Sequence, residues 1–201
     1  MVQHAPNIEW HFRAVERVER LLKTVTTALD QAGIPYAVIG GNAVATWVAT
    51  RDVGAVRATK DVDILLRRSD LQSVADVLAP LGFISDDVMG IPVFMEATDP
   101  LPSQGVHVIV ANEKVRAHSR FPAPDVEDVV RSSSGHLVVG LRALVVMKLD
   151  AFRRTDQVHL EDMLRQGLIT RELVHHLPGD FLDRLRHVRD TMEWFTQKPE
   201  F

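Results

Sequence analysis

The chain has no cysteine among its 201 residues, which excludes disulfides, thiolate metal sites and cysteine nucleophiles together. A reducing compartment, the cytoplasm, accords with that absence. Long hydrophobic runs are also missing. No stretch approaches the roughly 18 apolar residues of a membrane-spanning helix, and the first residues, MVQHAPNIEWHFR, contain no apolar run of the kind a signal peptide needs. A soluble, cytoplasmic protein with no membrane partner is the expectation. Basic excess is lacking as well: 23 Lys and Arg stand against 27 Asp and Glu, a formal charge of -4. Broad non-specific nucleic-acid binding depends on clustered cations that neutralise phosphates, so this balance weighs against it. Local basic groups such as Lys60, Arg67 and Arg68 leave a nucleic-acid substrate open. There is no internal repeat and no low-complexity tract.

What is present is a composition of 46% hydrophobic and 25% charged residues, enough for one compact domain or one with a small helical annex. From Asn7 to Ala32, apolar Phe12, Val15, Val18, Leu21, Leu22, Val25 and Leu29 recur at steps of three and four. That spacing predicts an amphipathic helix, ended by Gly33 and Pro35. Residues Tyr36 to Ile39 form a short strand that stops at Gly40-Gly41, and Asn42 stands where a cap would start the next helix, through Trp47. A loop from Thr50 to Lys60 leads to a second strand, Asp61 to Leu66. Ser69 or Asp70 then caps a helix through Leu78. Val93 to Ala97 and Val106 to Ala111 read as a strand pair, giving a sheet of four or five strands with Leu137 to Val139 as a short extra one. Helical patterns follow over Leu141 to Arg153, over Gln157 to Gln166 with Asp156 as its cap, and over Asp180 to about Trp194. The expected class is α+β: a core over 1–121, then a mainly helical lobe over 122–201, with Pro122 to Pro124 at the boundary.

The chemistry concentrates in two places. Side chains on a strand alternate faces, so Asp61 and Asp63 project to one side while Val62 and Ile64 turn to the core. Two carboxylates so placed repel unless a cation lies between them, and Mg²⁺ favours one or two carboxylates together with phosphate oxygens and water. Alone, an Asp-x-Asp also fits ordinary solvated charge, and alone a glycine pair also fits a tight turn. Together they suggest more. Gly40 and Gly41 allow backbone N–H groups to approach a phosphate at a helix N-terminus, one unit upstream of the acid pair. Arg57, Thr59 and Lys60 lie between the two, with cationic side chains able to reach a triphosphate or simply to be solvated.

The segments IGGNAVATWV and RATKDVDILL resemble the nucleotidyltransferase superfamily, with the likeness falling nearest to bacterial abortive-infection toxin nucleotidyltransferases and their relatives. A second block, LRALVVMKLDAFRRTDQVHLEDMLRQGLI, is similar to the helical segment of that subgroup. The resemblance spans roughly residues 34–66 and 137–169. It implies a nucleotidyltransferase-like mixed β-sheet flanked by helices, followed by a helical lobe. It also implies Mg²⁺ or Mn²⁺ as cofactor, a nucleoside triphosphate as substrate, and transfer of its nucleoside monophosphate to a hydroxyl of RNA, protein or a small molecule. An antitoxin protein is a further implied partner.

By the same resemblance Lys148 faces the nucleotide phosphates; a lysine within so apolar a stretch needs an anion or must snorkel to the rim. Many members supply a third carboxylate from a later strand, where GVHVIVA offers His107. That histidine is a candidate base or ligand, or a plain polar residue on an exposed face. Glu96 and Glu113 are alternative stand-ins, and Asp162 is near Lys148 only if the helices align. A catalytically degenerate nucleotide-binding or interaction protein with the same fold is the alternative, and a metal-dependent phosphatase or nuclease is a third. His159, His175 and His176 lack zinc-site spacing and read as a solvated helix face. Trp10, Trp47 and Trp194 read as core or interface.

Overall fold

The computed structural model describes the backbone of residues 8–196 and the side chains of 12–192. Helix α1, Ile8–Ala32, buries Val18, Leu21, Val25 and Leu29 on one face, as the spacing predicts. Phe12 departs from that reading: it is 61% exposed, because the first turns of the helix extend beyond the core. The side chains of Trp10 and Trp194 lie outside the described residues.

Strand β1, Ala37–Val38, runs directly into helix α2, Gly40–Ala49. The helix starts at the glycines, so Asn42 is an interior residue and not the cap. After a 3₁₀ turn come β2, Val62–Leu66, and α3, Leu71–Leu78, with Asp70 at the N-cap position but without a side-chain capping bond. The chain then forms β3, Phe83–Val88, β4, Ile91–Glu96, and β5, Val106–Val110. Strand β3 has no counterpart in the sequence reading. Only Phe83 of it is buried, so its FISDDV run lacks the alternation that marks a half-buried strand. The last strands are β6, Val129–Arg131, and β7, Leu137–Val139. Helices α4, Leu141–Ala151, α5, Arg154–Arg165, α6, Arg171–His175, and α7, Gly179–Thr196, follow. Asp156 is the third residue of α5 and not its cap: its carboxylate accepts from the Arg153 backbone N–H in a capping box.

The seven strands of the described residues form one mixed sheet in the order β3-β4-β5-β2-β1-β7-β6, larger than the four or five expected. The expected pairing of β4 with β5 is present, antiparallel with Val93 opposite His107. At the centre, β2 lies parallel to β5 and antiparallel to β1. Strands β6 and β7 come from beyond residue 122 and join the same sheet, β7 parallel to β1 at Val38 and Val138. Trp47 of α2 is partly buried and donates its indole N–H to the Val139 carbonyl, 3.0 Å, tying α2 to β7. Tyr36 does the same for α1: its buried hydroxyl donates to Asp30 Oδ2, 3.1 Å, and accepts from the Leu137 N–H, 3.2 Å. Val38, Ile64, Leu65, Leu144, Leu149 and Leu160 are fully buried in one core, in which α1 and α2 pack on β2 and α4 and α5 pack on α2.

Candidate active site

The site forms at one end of the central strands, where β1 turns into α2 and β2 begins. Val62 and Ile64 are fully buried, and Asp61 and Asp63 alternate to the other side as the strand requires. Asp63 is pinned through its backbone, since its carbonyl accepts from the Ile39 N–H, 3.0 Å. The turn follows from this proximity. Gly40 has φ +65°, and a Cβ there would stand 1.9 Å from Asp63 Oδ2. A glycine is therefore needed both for the left-handed backbone and for the closeness of the carboxylate. A Cβ at Gly41 would stand 2.7 Å from Thr59 Cγ2.

Asp61 is held by a small polar network. Asn42 Nδ2 donates to the Asp61 carbonyl, 2.8 Å, and Thr59 Oγ1 donates to Asn42 Oδ1, 3.0 Å. Asn42 thus serves the site from inside α2. Burial pushes the Asp61 carboxyl above its ordinary value, and the neighbouring Asp63 charge adds to it. Across the sheet, His107 on β5 stands in parallel register with Asp63. Its Nδ1 lies 3.7 Å from Asp63 Oδ1, an ion-pair separation and not a hydrogen bond. The Asp63 carboxylate raises the His107 imidazole above its ordinary value, against the opposing effect of burial. Asp61, Asp63 and His107 each present one ligand atom, all within 4.8 Å of one another. Two carboxylates and an imidazole at that spacing fit a divalent cation.

Lys148 is 6% exposed on α4, and its anion is Asp156, Nζ to Oδ1 3.1 Å. Asp156 also takes Arg153, Nε to Oδ2 2.7 Å. Burial pushes Asp156 up, yet the bonds from Arg153 and the Lys148 charge outweigh it and leave the carboxyl below its ordinary value. Lys148 and Arg153 also act on the acid pair electrostatically: Lys148 favours ionised Asp61, and Arg153 is favoured as a cation by both Asp63 and Asp61. Arg153 was not anticipated from the sequence, although its spacing of three from Asp156 was visible there.

Arg57 pairs through Nε with Oδ2 of buried Asp162, 2.7 Å, while its side chain stays largely exposed, so Asp162 serves Arg57 and not Lys148. His159 corrects the expectation of a solvated face. It is half-buried against Gly41, its Nδ1 is enclosed without a hydrogen-bond partner, and burial followed by the Lys148 charge lowers it to about 4. With Gly41, Arg57 and Asp162 it lines a small cavity behind the turn. His175 and His176 are exposed, as expected. Lys60 is exposed, and its carbonyl accepts from Arg17, 3.1 Å. Glu96 and Glu113 stay outside the acid group, paired with Arg20 and Arg68.

No family model and no curated protein matches the sequence. Solved structures do match the fold. The antibiotic-resistance factor ANT(2'')-Ia in solution is 15% identical with a TM-score of 0.55, over 87% of this chain and 96% of that one. The same factor in complex with adenylyl-2''-tobramycin is 13% identical with a TM-score of 0.51, over 86% and 97%. An antigenic nucleotidyltransferase-like protein from Paracoccidioides brasiliensis is 14% identical with a TM-score of 0.57, over 91% and 92%. The mixed sheet flanked by helices is thus a nucleotidyltransferase-like fold; at these identities the likeness is one of fold.

Proposed function

We propose that the protein is a metal-dependent nucleotidyltransferase that moves a nucleoside monophosphate from a nucleoside triphosphate to a hydroxyl acceptor. One observation carries this reading: Asp61 and Asp63 converge with His107 immediately beside the Gly40-Gly41 turn, so a cation site adjoins a backbone able to receive phosphate. Asp61 and Asp63 hold the cation, Mg²⁺ or Mn²⁺, which when bound offsets charge on the triphosphate oxygens. The Gly40 and Gly41 amides orient the phosphates at the start of α2. Lys148 and Arg153 supply positive charge that acts on the acid pair. Thr59, Arg57 and Lys60 act on the nucleotide from the loop, Thr59 and Arg57 also holding that loop to α2 and α5.

The acceptor hydroxyl attacks the α-phosphorus in line and gives up its proton to solvent, its oxygen–phosphorus bond forms as the bond from the α-phosphorus to the α–β bridging oxygen breaks, and pyrophosphate leaves with that oxygen. RNA ends, protein hydroxyls and small molecules such as aminoglycosides are the acceptor classes. A toxin-like role with an antitoxin partner, in the cytoplasm, belongs to the same proposal and rests on the motif resemblance. No helix of the described residues is long and apolar enough to cross a membrane.

A second reading, nucleotide binding without turnover, is favoured by the histidine at the third-acid position and by Glu96 and Glu113 being held in arginine pairs elsewhere. Calorimetric titration of the four nucleoside triphosphates with divalent metal, followed by transfer assays with α-labelled nucleotide, separates the two. Metal-dependent binding that disappears in the Asp61→Ala, Asp63→Ala double variant, with label transferred to an acceptor, supports the enzyme. Binding without transfer supports the second reading, and absence of binding to the wild type removes both.

A further inference from the structure

The position of His107 is fixed by the sheet and not by a mobile loop, since β5 lies in parallel register with β2 and sets His107 beside Asp63. Its ring is oriented from behind: Nε2 lies 2.9 Å from the carbonyl oxygen of Pro102. A carbonyl only accepts, so Nε2 carries the hydrogen and donates it, and in the neutral ring the free lone pair belongs to Nδ1. Nδ1 is the nitrogen turned toward the carboxylates, 3.7 Å from Asp63 Oδ1. Bonds of about 2.1 Å to one cation place two donor atoms about 3 to 4.2 Å apart, depending on the angle between them. The observed separation falls in that interval. A backbone carbonyl on the far nitrogen is also the usual way in which a metal-ligating histidine has its tautomer and plane fixed.

The donor set differs from three carboxylates in charge and in chemistry. Two carboxylates and a neutral imidazole bring a charge of −2, enough to balance one divalent ion without surplus. Mg²⁺ favours oxygen donors and near-ideal octahedra, whereas an imidazole nitrogen favours the first-row transition ions. We infer, building on the metal-dependent reading above, that His107 is a metal ligand through Nδ1 and gives the site a preference for Mn²⁺ over Mg²⁺. With Nδ1 on the cation and Nε2–H on Pro102, both ring nitrogens are engaged. His107 therefore has no lone pair left to deprotonate the acceptor, and the base role considered for it falls away.

The test is electron paramagnetic resonance of MnCl₂ titrated into the full chain, alone and with inorganic tripolyphosphate, which has no nitrogen of its own. Wild type, His107→Asp, His107→Ala and the Asp61→Asn, Asp63→Asn double variant are compared, each first checked for a folded circular-dichroism spectrum and a cooperative melt. Imidazole nitrogen coupling to bound Mn²⁺ is expected in the wild type and not in either His107 variant. Mn²⁺ affinity is expected to fall by at least about 10-fold in His107→Ala, because loss of a ligand costs no less than the roughly 10- to 100-fold of losing a group that orients one. In competition with MgCl₂, His107→Asp is expected to shift the preference toward Mg²⁺. Mn²⁺ bound through Asp61 and Asp63 without nitrogen coupling, or an unchanged Mn²⁺-to-Mg²⁺ preference in His107→Asp, overturns the ligand role and leaves the two-carboxylate metal site standing. No Mn²⁺ binding by the wild type, even with tripolyphosphate, overturns the ligand role and the metal-dependent reading together.

Discussion

Lys148 shows what a buried charge requires of its neighbours. Its ammonium is 7% exposed at the side chain, and Asp156, 1% exposed, is its counter-charge. Asp156→Asn leaves that ammonium in the core without an anion and is expected to destabilise the fold by about 3–5 kcal/mol in urea unfolding. Lys148→Met is expected to cost less, on the order of 1–2 kcal/mol, because Arg153 still meets the Asp156 carboxylate. The reverse ranking would show that the Lys148 ammonium does not depend on Asp156 for its counter-charge. His159 gives a pH signature. Its folded value is about 4, below the 6.5 of the free side chain. Between those values the unfolded chain binds a proton that the folded chain refuses. Stability is thus complete above pH 6.5 and falls as pH drops toward 4. The full shift corresponds to about 3 kcal/mol, and partial exposure of the ring reduces the effect below that. His159→Gln removes the titrating group, and its stability curve should be flatter over this window; an unchanged slope assigns the acid sensitivity to other groups.

Among the elements, the β1–α2 turn carries the strictest demand. Gly40 combines a left-handed backbone with an approach that would set a Cβ 1.9 Å from the Asp63 carboxylate. Backbone strain in Gly40→Ala is on the order of 1–2 kcal/mol. The larger consequence is at Asp63, which must swing away from Asp61 and His107. Gly40→Ala is therefore expected to lose Mn²⁺ and nucleotide binding while still unfolding cooperatively, as measured by calorimetry beside denaturant titration. Retained binding would mean that the turn does not set the position of Asp63. The same element explains Asn42. A helix that starts at Gly40 turns the Asn42 side chain toward the Asp61 carbonyl, where a cap at 42 would have spent it on its own backbone.

For the molecule as a whole, the sheet order makes late parts of the chain support early ones. Strand β7 lies beside β1, and α4 and α5 pack on α2, with Leu144, Leu149 and Leu160 fully buried. A chain cut after residue 121 would expose the β1 edge and the surface of α2 that α4 and α5 cover, and exposed edges and apolar patches associate. Expressed alone, 1–121 is expected to be aggregated or molten by size-exclusion chromatography and near-ultraviolet circular dichroism. A monomeric, cooperatively melting 1–121 would instead make the lobe boundary at 122 a true folding boundary. The Arg57–Asp162 pair also works at this scale, joining the 50–60 loop to α5 over 105 positions of sequence.

Periodicity made most of the elements legible: the apolar steps of α1, the alternation of β2 and β5, and the helical run over α4 each follow from local burial patterns. The Asp61, Asp63 pair and the glycine turn were equally legible, because strand alternation and glycine chemistry act over a few residues. Strand β3 was not, since its side chains are almost all exposed and its stability comes from pairing with β4. The partners at the site were beyond local reading for a related reason. That His107 meets Asp63 depends on the register of two strands 44 positions apart, that Lys148 meets Asp156 depends on the angle between α4 and α5, and that His159 lies behind Gly41 depends on α5 packing on α2. Sequence alone determined which residue types were available and which faces they occupied. Tertiary structure decided which of them meet, because contacts between distant segments are set by the packing of whole elements and not by spacing along the chain.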